Sequence, residues 1–177
     1  MQAVEISEGI YWVGALDWNA RNFHGFATLR GTSYNAYLIL DERNVLIDGV
    51  KTPFLGEMMA RVRSVIDPKE IDLIVSNHAE GDHASGLPMI QHLTGAEILA
   101  SKKGVEALRS NYGEMRMREV KDGEELSIGK RTLRFIETPM VHWPESMFTY
   151  VKEDKVLFSM DAFGQHYCSS QRFDDQV

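Results

Sequence analysis

The chain has 177 residues, 44% of them hydrophobic, and a net charge of -7 at pH 7. That is enough apolar material for one domain with a sizeable core, and an acidic balance with no basic stripe excludes nucleic acid and anionic membrane surfaces as natural partners. No apolar run approaches the roughly eighteen residues of a membrane span and no signal-like segment is visible, so a cytoplasmic protein is expected. The single cysteine, Cys168, excludes an internal disulfide and a Cys-rich zinc site, and reads as a small semi-buried hydrophobe.

Residues 4–13 read as an opening strand or hairpin around Gly9, followed by a long non-periodic loop, Asp17 to Gly25, that carries His24. Tyr34 to Leu40 and Val45 to Asp48 are strands joined by the Asp41-Glu-Arg-Asn44 turn. Thr52 then has the chemistry of a helix cap with Pro53 in the first turn, and apolar residues at helical spacing run from Leu55 to Ile66, where Asp67-Pro68 stops them. Ile71 to Asn77 is the central buried strand. A helix from Leu87-Pro88 to Gly95 puts Leu87, Ile90 and Leu93 on one face and His92 off it. A short strand, Ile98 to Ala100, and a helix, Ser101 to Tyr112, come next.

From Met115 the apolar period changes from 3.6 to 2, predicting antiparallel strands at 115–120, 125–128 and 131–137. The loop Thr138 to Pro144 leads to a hairpin, 147–151 and 155–160, whose second strand delivers Asp161 at its end. The tail from Ala162 has no clear period. Strand-rich, then βαβα, then strand-rich again predicts a layered α/β (α+β) sandwich, with sheets inside and helices outside, formed by residues 1–177 as one domain. A doubly wound parallel sheet fits less well, because many connections are hairpins.

The densest chemistry follows the central strand. Asn77-His78-Ala-Glu80-Gly-Asp82-His83 places two imidazoles and two carboxylates within six positions where a buried strand ends, with no cationic partner nearby in sequence. Burying unpaired carboxylates costs several kcal/mol, and a divalent cation supplies the compensation. Imidazole with carboxylate and no thiolate suits iron, manganese or zinc.

The chain resembles the N-terminal half of flavodiiron proteins, members of the metallo-β-lactamase-like superfamily. The resemblance rests on Asp17-Trp18, Phe23-His24-Gly25, Gly31 to Asn35, Asn77 to His83, Met140 to Tyr150 and Asp161 to Gln165. It implies an αββα sandwich, truncated here on its C-terminal side, and a flavodoxin-like FMN domain outside this chain. It also implies a diiron centre. One iron would take His78, Glu80, His142 and Asp161, the last bridging; the second would take Asp82, Asp161, His83 and a further histidine beyond Val177. His166 does not match that position.

By the same resemblance His24 lines the gas pocket as a proton donor and Trp143 lies near an FMN supplied by a partner subunit of a homodimer. The implied activity is reduction of dioxygen to water, of nitric oxide to nitrous oxide, or both, with electrons from rubredoxin or another redox protein. Two other functions use the same residues: a diiron gas sensor without turnover, and a dinuclear hydrolase of lactamase-like type. Glu80 counts against the hydrolase, because hydrolytic relatives typically carry histidine there.

Overall fold

The computed structural model describes residues 1–177 as two main sheets packed face to face, with helices on the outer side of the first. The larger sheet has seven strands in the spatial order Val4–Ser7, Ile10–Trp12, Tyr37–Ile39, Asn44–Ile47, Ile71–Val75, Glu97–Ser101 and Met117–Val120. Its first half is antiparallel. From Asn44–Ile47 onward the strands are parallel, because helices intervene between them. Met117–Val120 therefore runs parallel to Glu97–Ser101, a correction to the antiparallel expectation: the helix Lys102–Tyr112 carries the chain back across the sheet and sets its direction.

The second sheet orders Glu125–Ser127, Thr132–Glu137, Met147–Val151 and Val156–Phe158, all antiparallel. Alternation decides what each face does. Leu133, Phe135, Met147, Thr149, Val151 and Phe158 point inward and pack against Ile39, Val45, Ile47, Leu73, Val75 and Leu99 of the first sheet. The other face of the first sheet packs on helices Leu55–Arg63, Leu87–Thr94 and Lys102–Tyr112 through Met58, Val62, Ile90, Val105 and Leu108. The outer face of the second sheet carries Ile136, Phe148, Tyr150 and Leu157 with no helix over it. Three layers of the expected four-layer sandwich are thus present.

Several boundaries differ for local reasons. Thr52 is no helix cap: its hydroxyl donates to the Ser85 carbonyl at 2.9 Å and its amide to Ser85 Oγ at 3.0 Å, so it latches the ligand loop while a 3-10 turn precedes the helix. The expected strand Tyr34 to Leu40 breaks at Asn35-Ala36. Thr32–Tyr34 pairs with Ala15–Asp17 in a separate ribbon, and Asn35 accepts the indole N–H of Trp12 at 2.9 Å. Leu93 is 38% exposed, so only Leu87 and Ile90 of its helix anchor the core. Cys168 is buried, as its size and polarity lead one to expect.

Candidate metal centre

Parallel strands deposit their functional residues at their C-terminal ends, where backbone groups lose their ladder partners and loops are free to diverge. Here Asn44–Ile47 ends in Asp48, Ile71–Val75 in Ser76-Asn77-His78, and Glu97–Ser101 in Ser101. Asp48 is buried with φ 56°, a left-handed conformation tolerated in aspartate better than in bulkier residues. Its carboxylate accepts the Asn77 backbone N–H at 2.7 Å and the Asn77 side-chain amide at 3.1 Å. Asn77 Oδ1 in turn accepts from the Thr149 hydroxyl at 2.7 Å, which joins the strand end to the second sheet. Burial pushes the Asp48 carboxyl up, against the nearby His83 and the Asn77 hydrogen bonds that favour its charge.

From this base the chain turns into Gly81–Ala84, a single helical turn inside what the sequence presented as an open loop. The turn swings Asp82 and His83 toward the same space as His78 and Glu80. His142 arrives from the loop before Met147–Val151, and Asp161 from a 3-10 turn, Met160–Phe163, that follows Val156–Phe158. His78, Glu80, His142 and Asp161 offer ligand atoms all within 4.8 Å of one another, and so do Asp82, His83 and Asp161. Asp161 belongs to both groups.

The contacts define the arrangement. His78 Nε2 lies 3.0 Å from Glu80 Oε2, and His142 Nε2 lies 3.6 Å from Glu80 Oε2 and 3.6 Å from Asp161 Oδ2. His83 Nε2 is 2.9 Å from Asp161 Oδ1 and 3.5 Å from Asp82 Oδ2. Asp82 Oδ1 and His83 Nδ1 are buried without any hydrogen-bond partner, an expensive condition that a cation would relieve at the carboxylate.

Electrostatics say the same. Burial alone would strip the proton from His83, but the hydrogen bond to Asp161 and the charges of Asp82 and Asp161 outweigh it and hold the ring up at about 10. Burial opposes ionisation of Asp161 as well, yet His83 and the other histidines hold it down to about 2. Burial disfavours a charged His78, but its hydrogen bonds to Glu145 and Glu80 keep it protonated up to about 9. Asp82 goes the other way: burial, with repulsion from Asp161 and Glu80, raises it in spite of His83. Without metal, the site holds its carboxylates in place with protons. A divalent ion bound there would replace those protons with a stronger charge.

All six metal candidates read from the sequence converge. His24 does too, at the turn of a small hairpin, Asn22–Phe23 and Phe26–Ala27, where a plain loop was expected; His24 at φ 50° and Gly25 at φ 84° form the tight turn. Its Nε2 contacts Glu80 Oε1 while the side chain stays 60% exposed. A cleft of about 410 Å³, lined by residues including His24, Lys51, Glu80 and Asp82, opens on that side. A second, polar cleft of about 130 Å³ reaches Asp82, His142 and Asp161 from the other, with His166 on its wall. Trp143 is 42% exposed and stands edge-on to His78 with ring centroids 5.3 Å apart.

Glu145, Asp48 and Thr149 were not foreseen as part of the site. Their roles depend on partners 29 to 72 residues away, and nothing in their immediate neighbourhood signals them.

Residues 32–176 match the family model described as ODP family beta lactamase. The chain belongs to that family. A protein from Moorella thermoacetica named nitric oxide reductase is 50% identical over 181 aligned positions that take in 99% of this chain and 45% of that protein. The structure of rubredoxin oxygen:oxidoreductase from Desulfovibrio gigas superposes with a TM-score of 0.96 at 46% identity, over 99% of this chain and 45% of the other. The flavodiiron protein from Giardia intestinalis gives 0.95 at 46% identity, over 100% and 44%. This ODP domain therefore has the fold of the flavodiiron core, and it spans somewhat less than half the length of these relatives.

Proposed function

We propose that this domain holds two iron ions and serves as the reducing centre of a flavodiiron oxidoreductase that converts dioxygen to water, nitric oxide to nitrous oxide, or both. One iron is assigned to His78, Glu80, His142 and Asp161, the other to Asp82, His83 and Asp161, with Asp161 between them. The observation that carries this reading is that two ligand groups, drawn from separate strand ends, share one carboxylate. Glu80, Asp82 and Asp161 would bring a charge of -3 against +4 from two ferrous ions, which would leave the buried cluster within about one charge of neutrality. Three carboxylates and no thiolate make the donor set hard enough for iron.

When bound, the irons supply electrons and two adjacent positions for small diatomic molecules, and FMN held outside these residues renews the electrons. The protein's own part is positioning and proton supply. His24 Nε2, against the Glu80 carboxylate and open to the cleft, holds a proton at the edge of the site within reach of solvent. Trp143 covers one edge of His78 and offers half its indole as an apolar surface for the flavin, which in a homodimer comes from the partner subunit. A rubredoxin-like redox protein is the electron donor, and the cytoplasm the compartment. No helix of the chain is long and apolar enough to cross a membrane.

The test is anaerobic loading with ferrous iron followed by addition of reductant and either dioxygen or nitric oxide. Consumption of the gas, with nitrous oxide formed from nitric oxide, supports the reading. A chain that selects zinc from mixed metals and cleaves phosphodiesters instead contradicts it.

A further inference from the structure

We propose that Glu145 is a positioning residue of the metal centre, a carboxylate that fixes the tautomer and orientation of His78 and ties the loop bearing His142 to the strand end bearing His78. The inference rests on the reading of His78 as a metal ligand, not on the identity of the metal or on the reaction.

Glu145 is buried, at 7% exposure, and its Oε1 lies 2.7 Å from His78 Nδ1 and accepts the Ala79 backbone N–H at 3.3 Å. The oxygen that accepts the Ala79 N–H is the one that faces Nδ1, so it meets the ring as an acceptor and Nδ1 is the protonated nitrogen. A neutral imidazole carries one N–H; with the proton at Nδ1, the lone pair is left on Nε2. Nε2 faces the ligand cluster, 3.0 Å from Glu80 Oε2. Glu145 thus presents the correct nitrogen to the metal, and its charge makes that nitrogen a stronger donor.

The backbone adds a second function. The Glu145 carbonyl accepts the Ser101 hydroxyl at 2.8 Å, while Met147 N–H donates to the Asn77 carbonyl at 3.0 Å. Three segments therefore meet at Glu145: the ends of the two central parallel strands, and the loop that carries His142 three residues earlier. A shift of Glu145 moves both histidines of the first ligand group together.

The test compares the full chain with E145Q and E145A. Zinc affinity is measured by competition with a chromophoric chelator, and the ring nitrogens of His78 are followed by 15N NMR in the zinc-loaded protein. Glutamine keeps an oxygen acceptor at Nδ1, so E145Q should retain the Nδ1–H signature and bind zinc within about tenfold of the parent. Alanine leaves the ring free, so E145A should lose that signature and bind zinc about 10- to 100-fold more weakly. An E145A chain that binds zinc like the parent with the same His78 signature overturns the proposal. If circular dichroism shows E145A unfolded, E145Q decides: loss of zinc binding beyond about 100-fold, or transfer of the proton to Nε2, overturns it, whereas retention of both supports it. Zinc is redox-inert, so this outcome is independent of whether the domain reduces a gas.

Discussion

Stripping metal from the site should cost this domain a large part of its stability, and the size of the loss follows from its geometry. Glu80 and Asp161 contribute ligand atoms within 4.8 Å of each other, as do Asp82 and Asp161. At an effective dielectric constant of about 20, each such pair of like charges repels by about 3 kcal/mol. Protonated His78 and His83 offset part of this in the metal-free chain; a bound divalent pair offsets more. Free metal at about a thousand times its dissociation constant adds about 4 kcal/mol to folding, and for a domain of this size each kcal/mol moves the melting temperature by about 2 to 4 °C. The expected loss on strong chelation is therefore about 8 to 16 °C, read by calorimetry on loaded and chelated protein. D161N supplies the control: it removes the shared carboxylate, should lower the metal content from two ions per chain to one or fewer, and should shrink the chelation shift. Loaded and chelated melting curves that coincide, or a D161N chain with full metal content, would refute the reasoning.

Other consequences are as specific. In the metal-free chain His83 titrates at about 10 instead of 6.5, and Asp161 at about 2 instead of 3.8. The raised histidine stabilises fully below pH 6.5 and loses that contribution as pH rises toward 10; the depressed aspartate stabilises fully above pH 3.8 and loses it as pH falls toward 2. Urea midpoints of the chelated chain should thus be highest between these two limits and fall by pH 9, and D161N should flatten the alkaline decline. T149V removes a fully buried hydroxyl that donates to Asn77, and should cost about 1 to 3 kcal/mol in guanidinium unfolding while weakening zinc binding. H24A should leave the metal content unchanged and lower turnover by about 100-fold in the full-length protein supplied with electrons; an unchanged rate removes His24 from proton delivery.

How much of this was legible beforehand depends on the range of each interaction. The His78 to His83 cluster declares itself because four side chains of the types that ligate metals follow a buried strand within six positions, and Asp161 because a second apolar strand precedes it. The layered sandwich follows from the switch between helical and alternating periods. The direction of Met117–Val120 was not legible, since a strand's own alternation carries no information about the neighbour it will pair with, and only the returning helix sets it. The hairpin holding His24 was hidden by its brevity: two-residue strands leave no period to detect. Thr52 has the chemistry of a cap, but Ser85 competes for both its amide and its hydroxyl. Glu145 and Asp48 escaped for the same underlying reason. Their charges are explained by partners that only the fold brings near, His78 for the one and Asn77 and His83 for the other.

The central claim is that this fold gathers two metal ions around a shared Asp161. Diffraction from crystals of the ferrous-loaded chain, collected on both sides of the iron absorption edge, tests it most directly. The expected map has two anomalous peaks, one among His78, Glu80, His142 and Asp161 and one beside Asp82, His83 and Asp161. Iron bound elsewhere, or a single peak with Asp161 facing away from it, would contradict the account.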